Sequence, residues 1–381
     1  MRARLRAFSG YFSAVNPVLA VVVCAAALTI LGLVVLTSAG SSLNSSDPYF
    51  AFRRQLLWLL IALPCGVAAA FVNWEALRKF VWPIFGFAVL LLVLVKIPSI
   101  GLEINGARRW LDLGPMRLQP SEFSKLALVF VLAHYLCLNQ RGVKTFWKGF
   151  VIPCVLIGMV AGLVLLQPDF GTAALTGTIG FVMMYLCGVR VRFLAPIVIA
   201  GIVGFFTLVY LDPVRMQRIT SFLDVEANRA GSAYQLHQGL LAYGVGGVDG
   251  VGLGQGRQQM AFLPEAHTDF IFPIIGEELG AVCTIGIVAL FAVYFLTVAR
   301  QLKNAPNLFE FLLCTGALLC VIGQAVINMG VVTGMFPTKG MSLPFISYGG
   351  SNLVLVFLLT GIIVNCMRKW SRPLAIHARE L

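Results

Sequence analysis

PEAHTDFIFPIIGEELG, residues 264–280, is the stretch from which the rest of the chain is interpreted. It begins as a polar loop and continues without a break into a long apolar segment, as a helix entering a membrane would. A carboxylate at the mouth of a membrane helix costs free energy unless it has a partner or a function. We therefore expect Asp269 to be functional, and Glu277 and Glu278, deeper in the helix, to be packing or polar-cavity residues.

The composition of the chain indicates a membrane protein. Its 381 residues are 59% hydrophobic and only 12% charged, and the mean hydropathy is +0.89. A soluble protein of this length carries far more charge, and apolar runs of about 20 residues recur along the chain. No segment alternates like a barrel strand, so the sequence predicts an all-α polytopic membrane protein with one membrane domain, residues 1–381.

Ten membrane helices are the simplest division of the chain, because proline, glycine or charge bounds several of the apolar runs. We predict a tail at 1–16, a large outside loop at 212–268 between helices 7 and 8, and a second tail at 368–381. The predicted helices are 17–39, 53–73, 78–97, 120–138, 147–166, 169–188, 192–211, 269–298, 308–333 and 344–367. Inside the large loop, residues 234–243 are predicted to be a short amphipathic segment, followed by a glycine-rich run.

The basic residues give the orientation. Most Lys and Arg residues fall on the side of the two tails, so both termini are predicted to be cytoplasmic. The net charge of +12 is thereby explained by membrane topology, and no nucleic acid partner is expected. Arg108, Arg109 and Arg117 oppose this bias, because they crowd one short outside loop. An anionic ligand would explain them, and so would a solvated loop or contact with lipid headgroups.

Two outside helix starts share a Gln-Pro pair followed by an acid, LQPSE at 118–122 and LQPDFGT at 166–172. Proline and an acid favour a helix start by themselves. Lys125 lies three residues after Glu122, on the same helix face, and a charged pair entering a membrane helix should face a polar cavity. Glu122, Lys125, Asp169 and Asp269 are thus predicted to form one outer site, unless they are a structural cluster of salt bridges.

The last outside loop, residues 337–352, combines glycines with hydrogen-bond donors. Lys339 would add positive charge to an anion site, and Ser347 would supply a donor, although tight helix packing explains the glycines by itself. His267 and Asp269 invite a catalytic-dyad interpretation, but no local motif indicates a serine or cysteine nucleophile.

These motifs resemble those of one known family. The chain is similar to the SEDS family (shape, elongation, division and sporulation) over nearly its whole length. Within that family, residues 328–330 and 337–340 resemble the cell-division branch, FtsW, more than the rod-elongation branch, RodA. The motifs that carry the resemblance are GARRWLDLG (106–114), LQPSEFSKLAL (118–128), QPDFGT (167–172), LPEAHTDFIFPIIGEELG (263–280) and KGMSLPFISYGGSN (339–352).

The resemblance implies a ten-helix peptidoglycan glycosyltransferase in the bacterial cytoplasmic membrane at the division septum. Its substrate would be lipid II, polymerised by an inverting transfer with undecaprenyl diphosphate as the leaving group. Its partners would be a class B penicillin-binding protein transpeptidase and other membrane proteins of the division complex. By motif, the family's key acids and lysine correspond to Asp269, Glu122, Lys125 and Asp169.

An inverting transfer needs a base for the attacking hydroxyl and positive charge for the leaving group. Asp269 is our candidate for the base or for its close electrostatic partner, and Glu122 would orient Lys125. Candidate substrate-binding residues are Arg108, Arg109, Asp169, Lys339 and Ser347. The sequence indicates no certain cofactor. A divalent cation (Mg²⁺ or Mn²⁺) on the diphosphate is compatible with this chemistry, but no cluster of ligand residues indicates one. The rival functions are a lipid II flippase, which also needs charged residues in a membrane cavity, and a non-enzymatic division scaffold.

Overall fold

The computed structural model describes residues 16–39, 47, 49–104, 106–112, 114, 117–258, 263, 267–337 and 340–370. Among these residues, ten helices are long and apolar enough to cross a membrane. The membrane helices are α1 (Pro17–Ala39), α2 (Phe50–Phe71), α3 (Trp74–Leu94), α4 (Pro120–Leu138), α5 (Phe146–Leu165), α6 (Phe170–Cys187), α7 (Val191–Leu211), α10 (Ile271–Gln301), α11 (Leu308–Val332) and α12 (Gly350–Trp370).

All ten predicted helices are present, and two of them begin four or more residues from their predicted starts. Helix α3 begins at Trp74 instead of 78, because the Asn73 side chain accepts a hydrogen bond from the amide of Ala76 and caps the helix. Helix α12 begins at Gly350 instead of 344. The preceding residues form turns, with Phe345 in the left-handed region at φ 68°. The amide of Tyr348 donates to the carbonyl of His267 at 3.0 Å, so a contact with another segment delays the helix.

The enclosed centre of the protein consists of α4, α11 and α12, whereas α7 is the most exposed membrane helix. Apolar side chains cover the exposed faces of the peripheral helices, for example Leu60, Val67 and Phe206. Such faces suit contact with lipid, since hydrocarbon does not penalise them. Lys125, Gln324 and Asn352 lie on α4, α11 and α12, the three helices that have the least contact with the surroundings.

The loop between α3 and α4 departs from the all-α prediction. It contains a small antiparallel sheet of order β1–β2–β3, formed by β1 (Gly101–Ile104), β2 (Ala107–Asp112) and β3 (Arg117–Leu118). Strand β3 runs directly into α4, because Gln119 is extended and Pro120 occupies the first helical turn. The sheet thereby fixes the entrance of the helix that carries Glu122 and Lys125.

The long loop before α10 also contains helices. Helix α8 spans Pro213–Leu223 and helix α9 spans Tyr234–Gly246, where the amphipathic segment was predicted. Helix α9 packs on the first turns of α10, and Gly239 lies against Phe270 and Pro273. The segment after α9 then lies along α10, with backbone hydrogen bonds to Glu277, Glu278 and Ala281.

Candidate active site

A buried ion pair lies near the start of α4. Lys125 Nζ donates to Glu122 Oε1 at 3.0 Å, and the two side chains are only 1% and 8% exposed. The spacing of three residues and the proline start, both readable in the sequence, bring the two groups together. The second carboxylate oxygen, Glu122 Oε2, is buried and has no hydrogen-bond partner among the described residues. The pair therefore has acceptor capacity that the described residues do not use.

Gln324 on α11 ties this ion pair to the other central helices. Its Oε1 accepts from Lys125 Nζ at 2.9 Å. Its Nε2 donates to Asn352 Oδ1 at 2.8 Å and to the carbonyl of Ser342 at 2.9 Å. One glutamine thus links α4, α12 and the loop before α12, which fixes the position of the Lys125 ammonium.

Asp269 lies immediately before α10, on a segment held by two other elements. The Asn328 side chain donates to the Asp269 carbonyl at 2.8 Å. Ser347 Oγ donates to the carbonyl of Thr268 and accepts from the amide of Leu343. The Asp269 carboxylate packs against Gly340, where an added Cβ would overlap Oδ2. The structure therefore gives Ser347, a predicted substrate-binding residue, the contacts of a brace next to Asp269.

The two parts of the site meet on α11. Gln324 contacts Lys125, and Asn328, which holds Asp269, follows four residues later. Residues four apart in a helix lie on one face, about 6 Å apart along the axis. Lys125 and the Asp269 segment are consequently held by adjacent turns of one helix. Their catalytic roles stay predictions.

Asp169 and the arginines have protein partners of their own. Asp169 caps α6, since its carboxylate accepts from the Thr172 amide at 3.2 Å and from Thr172 Oγ1 at 2.8 Å. Arg109 donates to the carbonyls of Gln167 and Pro168 at 2.9 and 2.7 Å, across the junction of α5 and α6. In the second of the two Gln-Pro-acid motifs, the acid thus serves as a helix cap, as the structural interpretation of the motif predicts.

Arg108 differs from Arg109 in having a partner that a ligand could displace. It pairs with Glu103 at 3.0 Å, and both side chains are substantially exposed. Such pairs contribute little to stability, and an anionic ligand competes with them easily. Lys339 and Glu265 lie outside the described residues. Substrate binding by Arg108, Arg109, Asp169 and Lys339 stays a prediction.

A cavity of about 210 Å³ opens beside Glu122, between α2, α4 and α12. Its walls are mainly apolar, and Glu122 is the acid among the residues that line it. The lining residues are Trp58, Ile61, Leu118, Gln119, Glu122, Phe123, Ser351, Val354 and Leu355. An apolar chain with a polar end therefore fits this cavity better than a fully polar molecule does.

The protein does not supply a metal site of its own among the residues described. No group of three or more His, Cys, Asp or Glu side chains there could hold an ion. A divalent cation on the substrate stays open, and we assign no step to one.

Three polar residues of this site were not predicted from the sequence. Gln324, Asn328 and Asn352 were not proposed as site residues, although all three are buried. A signal was present, because an amide pair four residues apart in an otherwise apolar membrane helix marks a polar face. Its partners were not readable, since they come from distant parts of the chain.

Comparison with known proteins is consistent with this architecture. A family model described as "Cell cycle protein", for FtsW, RodA and SpoVE, matches residues 18–372. The chain is 38% identical over 351 residues to a "Probable peptidoglycan glycosyltransferase FtsW" of Coxiella burnetii, covering 91% of this chain and 94% of that one. It is 37% identical over 363 residues to "Stage V sporulation protein E" of Bacillus subtilis, covering 93% of this chain and 97% of that one.

The fold has a solved counterpart. A structure reported as "Structural coordination of polymerization and crosslinking by a peptidoglycan synthase complex" contains a chain that superposes with a TM-score of 0.78 at 30% identity. The match covers 93% of this chain and 98% of that chain. With ten candidate membrane helices, a family model over almost its full length and relatives of this similarity, the chain belongs to the FtsW/RodA/SpoVE family of multi-pass membrane proteins.

Proposed function

We propose that the chain polymerises lipid II into glycan strands at the division septum, as a peptidoglycan glycosyltransferase like the relatives that carry this name. Those names favour the FtsW branch over the RodA branch. The observation that carries the proposal is the buried Lys125–Glu122 pair, which lies beside an apolar cavity and contacts Gln324, one turn of α11 from the Asn328 that holds the Asp269 segment. A cation, an acid and an apolar pocket are what an anionic lipid substrate requires.

The reaction joins two lipid-linked sugars. The acceptor's sugar 4-hydroxyl attacks the anomeric carbon of the donor, and the new C–O bond forms as the bond from that carbon to the diphosphate breaks. Undecaprenyl diphosphate leaves with the bonding electrons, and the configuration inverts. Asp269 takes the hydroxyl proton, because an unassisted hydroxyl is a weak nucleophile.

Lys125 is suited to the leaving group. Its ammonium has three N–H donors, of which two are used by Glu122 and Gln324. The third has no partner among the described residues, so we assign it to a diphosphate oxygen, and a positive charge acts strongly where water is excluded. Glu122 orients this ammonium, and the cavity beside it accommodates part of the polyprenyl chain. Arg108 adds charge near the membrane surface when the ligand displaces Glu103.

The partner we propose is a class B penicillin-binding protein that cross-links the nascent strands. The support is the solved complex described above, in which polymerization and crosslinking are coordinated. The proposed location is the bacterial inner membrane, with the site on its outer face, since Glu122 and Asp269 are at the helix ends predicted to be outside.

The test is polymerisation of labelled lipid II by purified protein in detergent, with and without the penicillin-binding protein, whose transpeptidase is blocked. Asp269→Ala and the isosteric Asp269→Asn should both fold and yield no glycan ladder, because each lacks the base. A ladder from either variant would contradict the role of Asp269. Absence of polymer in every condition, together with lipid II translocation in liposomes, would favour the flippase.

A further inference from the structure

Glu277 is a buried acid that this reaction does not use. It lies on α10, six residues after the first residue of that helix, and its exposure is 0%. A carboxylate at this depth costs free energy unless charge or hydrogen bonds compensate it. The hydrogen bonds that offset this cost identify the segment that Glu277 holds.

The partners of Glu277 are main-chain amides of the segment that follows α9, residues 247–258, which we call the glycine strap. Glu277 Oε1 accepts from the amide of Arg257 at 2.8 Å and from that of Gln258 at 3.3 Å. Glu277 Oε2 accepts from Gln258 at 3.2 Å. Hydrogen bonds to an ionised acceptor are about twice as strong as neutral ones. Both oxygens of one carboxylate are thus used to hold the end of the strap.

The neighbouring backbone continues the attachment. The carbonyl of Glu277 accepts from Val251 at 2.9 Å, and that of Glu278 accepts from Gly252 at 3.0 Å. Glu278 Oε1 accepts from the amide of Gly254 at 2.9 Å. The strap therefore runs along the first turns of α10 and is bonded to it repeatedly.

Glycines make this close approach sterically feasible. Helix α10 is interrupted at Gly280, whose φ of 74° lies in the left-handed region. A Cβ at Gly280 would overlap the Val248 carbonyl, and one at Gly250 would overlap the Glu278 carbonyl. At the interruption the amide of Ala281 bonds to the carbonyl of Gly247 at 3.0 Å. The strap consequently replaces hydrogen bonds that the broken helix has lost.

The end of the strap that Glu277 holds, at Gln258, precedes Asp269 by eleven residues in the chain. The carbonyl of Gln258 accepts from the amide of Leu263 at 2.9 Å, and Leu263 is buried. Six residues later, Asp269 is held from the opposite direction by Asn328 and by Ser347, through Thr268. The described residues on either side, Gln258 and Asp269, are thus each held by contacts with other parts of the protein.

We propose that Glu277 is a positioning residue for the glycosyl transfer, which sets the place of Asp269 by anchoring the strap at Arg257 and Gln258. This inference rests on the proposed function, because it assigns a task to the acid that supports Asp269. Glutamine in its place presents an amide nitrogen to the Gln258 N–H, so at least one hydrogen bond is lost and the charge assistance disappears.

The kinetic test compares Glu277→Gln with the wild type in the lipid II assay. We expect kcat to fall roughly 10- to 100-fold with little change in KM, because a small misplacement of a reacting group acts on the chemical step. Ser347→Ala removes the opposite brace. If both residues position one segment, the double variant will lose less than the product of the two single losses. A residue that only stabilises the fold would give independent effects.

A structural measurement accompanies the kinetics. Hydrogen exchange in nanodiscs should show faster exchange of the Arg257 and Gln258 amides in Glu277→Gln. Gly256→Ala approaches the same contact from the strap, since its Cβ would lie 3.1 Å from Glu277 Oε2. It should change exchange and kcat in the same direction, which keeps the test valid if Glu277→Gln folds poorly. Glu310→Gln, a buried acid distant from the strap, is the matched control and should keep the wild-type kcat.

The outcomes separate the two proposals. If the wild type makes glycan and Asp269→Ala does not, the proposed function stands whatever Glu277 does. Unchanged kcat and exchange in Glu277→Gln and Gly256→Ala would then overturn the inference alone. A wild type without polymer in any condition would contradict the proposed function and remove the inference with it.

Discussion

Helices α11 and α4 each carry a buried glutamate paired with a lysine, Glu310 and Glu122. The two glutamates differ in how many of their oxygens have hydrogen-bond partners. Glu310 accepts from Lys369 at 3.2 Å and from Trp370 Nε1 at 2.7 Å, so both its oxygens have partners. Glu122 accepts from Lys125 and leaves Oε2 without a partner among the described residues. The first pair is closed by the protein, whereas the second keeps unused hydrogen-bonding capacity.

The two pairs are far apart and differ in access. Gln324, which contacts Lys125, follows Glu310 by 14 residues on α11, a distance of about 21 Å along the axis. The Lys369 side chain is 41% exposed and that of Lys125 is 1% exposed. We conclude that an ion pair in this protein is structural where water reaches the lysine and every acceptor is used. The Glu122–Lys125 pair meets neither condition among the described residues.

The largest difference should come from removing the buried lysine. Lys125→Met leaves the Glu122 charge without its cation, and breaking a buried pair in this way costs about 3–5 kcal/mol. We expect glycan synthesis to disappear and the unfolding temperature in detergent to fall strongly. Lys125→Met combined with Glu122→Gln should recover stability without recovering activity. Recovered glycan synthesis in that double variant would show that the pair is only structural.

Neutralising each glutamate tests the comparison most directly. Glu122→Gln and Glu310→Gln each weaken one buried charged contact, so we expect a similar stability loss of about 1–3 kcal/mol. Only Glu122→Gln should slow polymerisation, by roughly 10-fold or more, because Lys125 loses its orientation. Thermal unfolding and initial rates on labelled lipid II measure the two effects. Equal rate losses in both variants would refute the distinction.

Gln324→Met should have an intermediate effect. The variant keeps the length of the side chain, but it leaves Asn352 Oδ1 without its donor and removes one of the two hydrogen bonds of the Lys125 ammonium. We expect a stability loss of about 1–2 kcal/mol, measured by thermal unfolding. A coupling energy of about 0.5–3 kcal/mol with Glu122→Gln would show that the two residues hold the same ammonium. Additive losses would place Gln324 outside the network.

The smallest effect belongs to Lys369→Met. Its ammonium is partly exposed, and Glu310 retains the Trp370 contact, so the loss should be at most about 1 kcal/mol. Polymerisation should equal that of the wild type. A strong loss of activity would mean that the end of α12 communicates with the site, and the two pairs would then not be independent.

Much of the fold could be predicted because hydropathy acts on whole segments. Apolar length defined the ten helices, and the spacing of Glu122 and Lys125 already implied their contact. The small sheet was missed because its strands are short and contain the arginines of an apparently irregular loop. Its register depends on pairing with β2, which a sequence pattern of this length does not encode.

The candidate site was predictable only where its residues are neighbours in the chain. Gln324 meets Lys125 from 199 positions away, and the sequence does not show which distant segments the polar face of α11 meets. Arg109 illustrates the same limit. Its charge suggested an anion site, but its partners in the structure are the carbonyls of Gln167 and Pro168, which no charge pattern reveals.

The interruption of α10 at Gly280 has a consequence for biosynthesis. The glycine strap precedes α10 in the chain and must return to it after being exported, because the predicted topology places residues 212–268 outside. Until the strap docks, the amide of Ala281 lacks the carbonyl of Gly247 that it contacts in the finished fold. Insertion of α10 and formation of its bend are therefore separable steps. Pulse-labelled protein should reach the membrane with ten spans first and acquire protease resistance in the strap later.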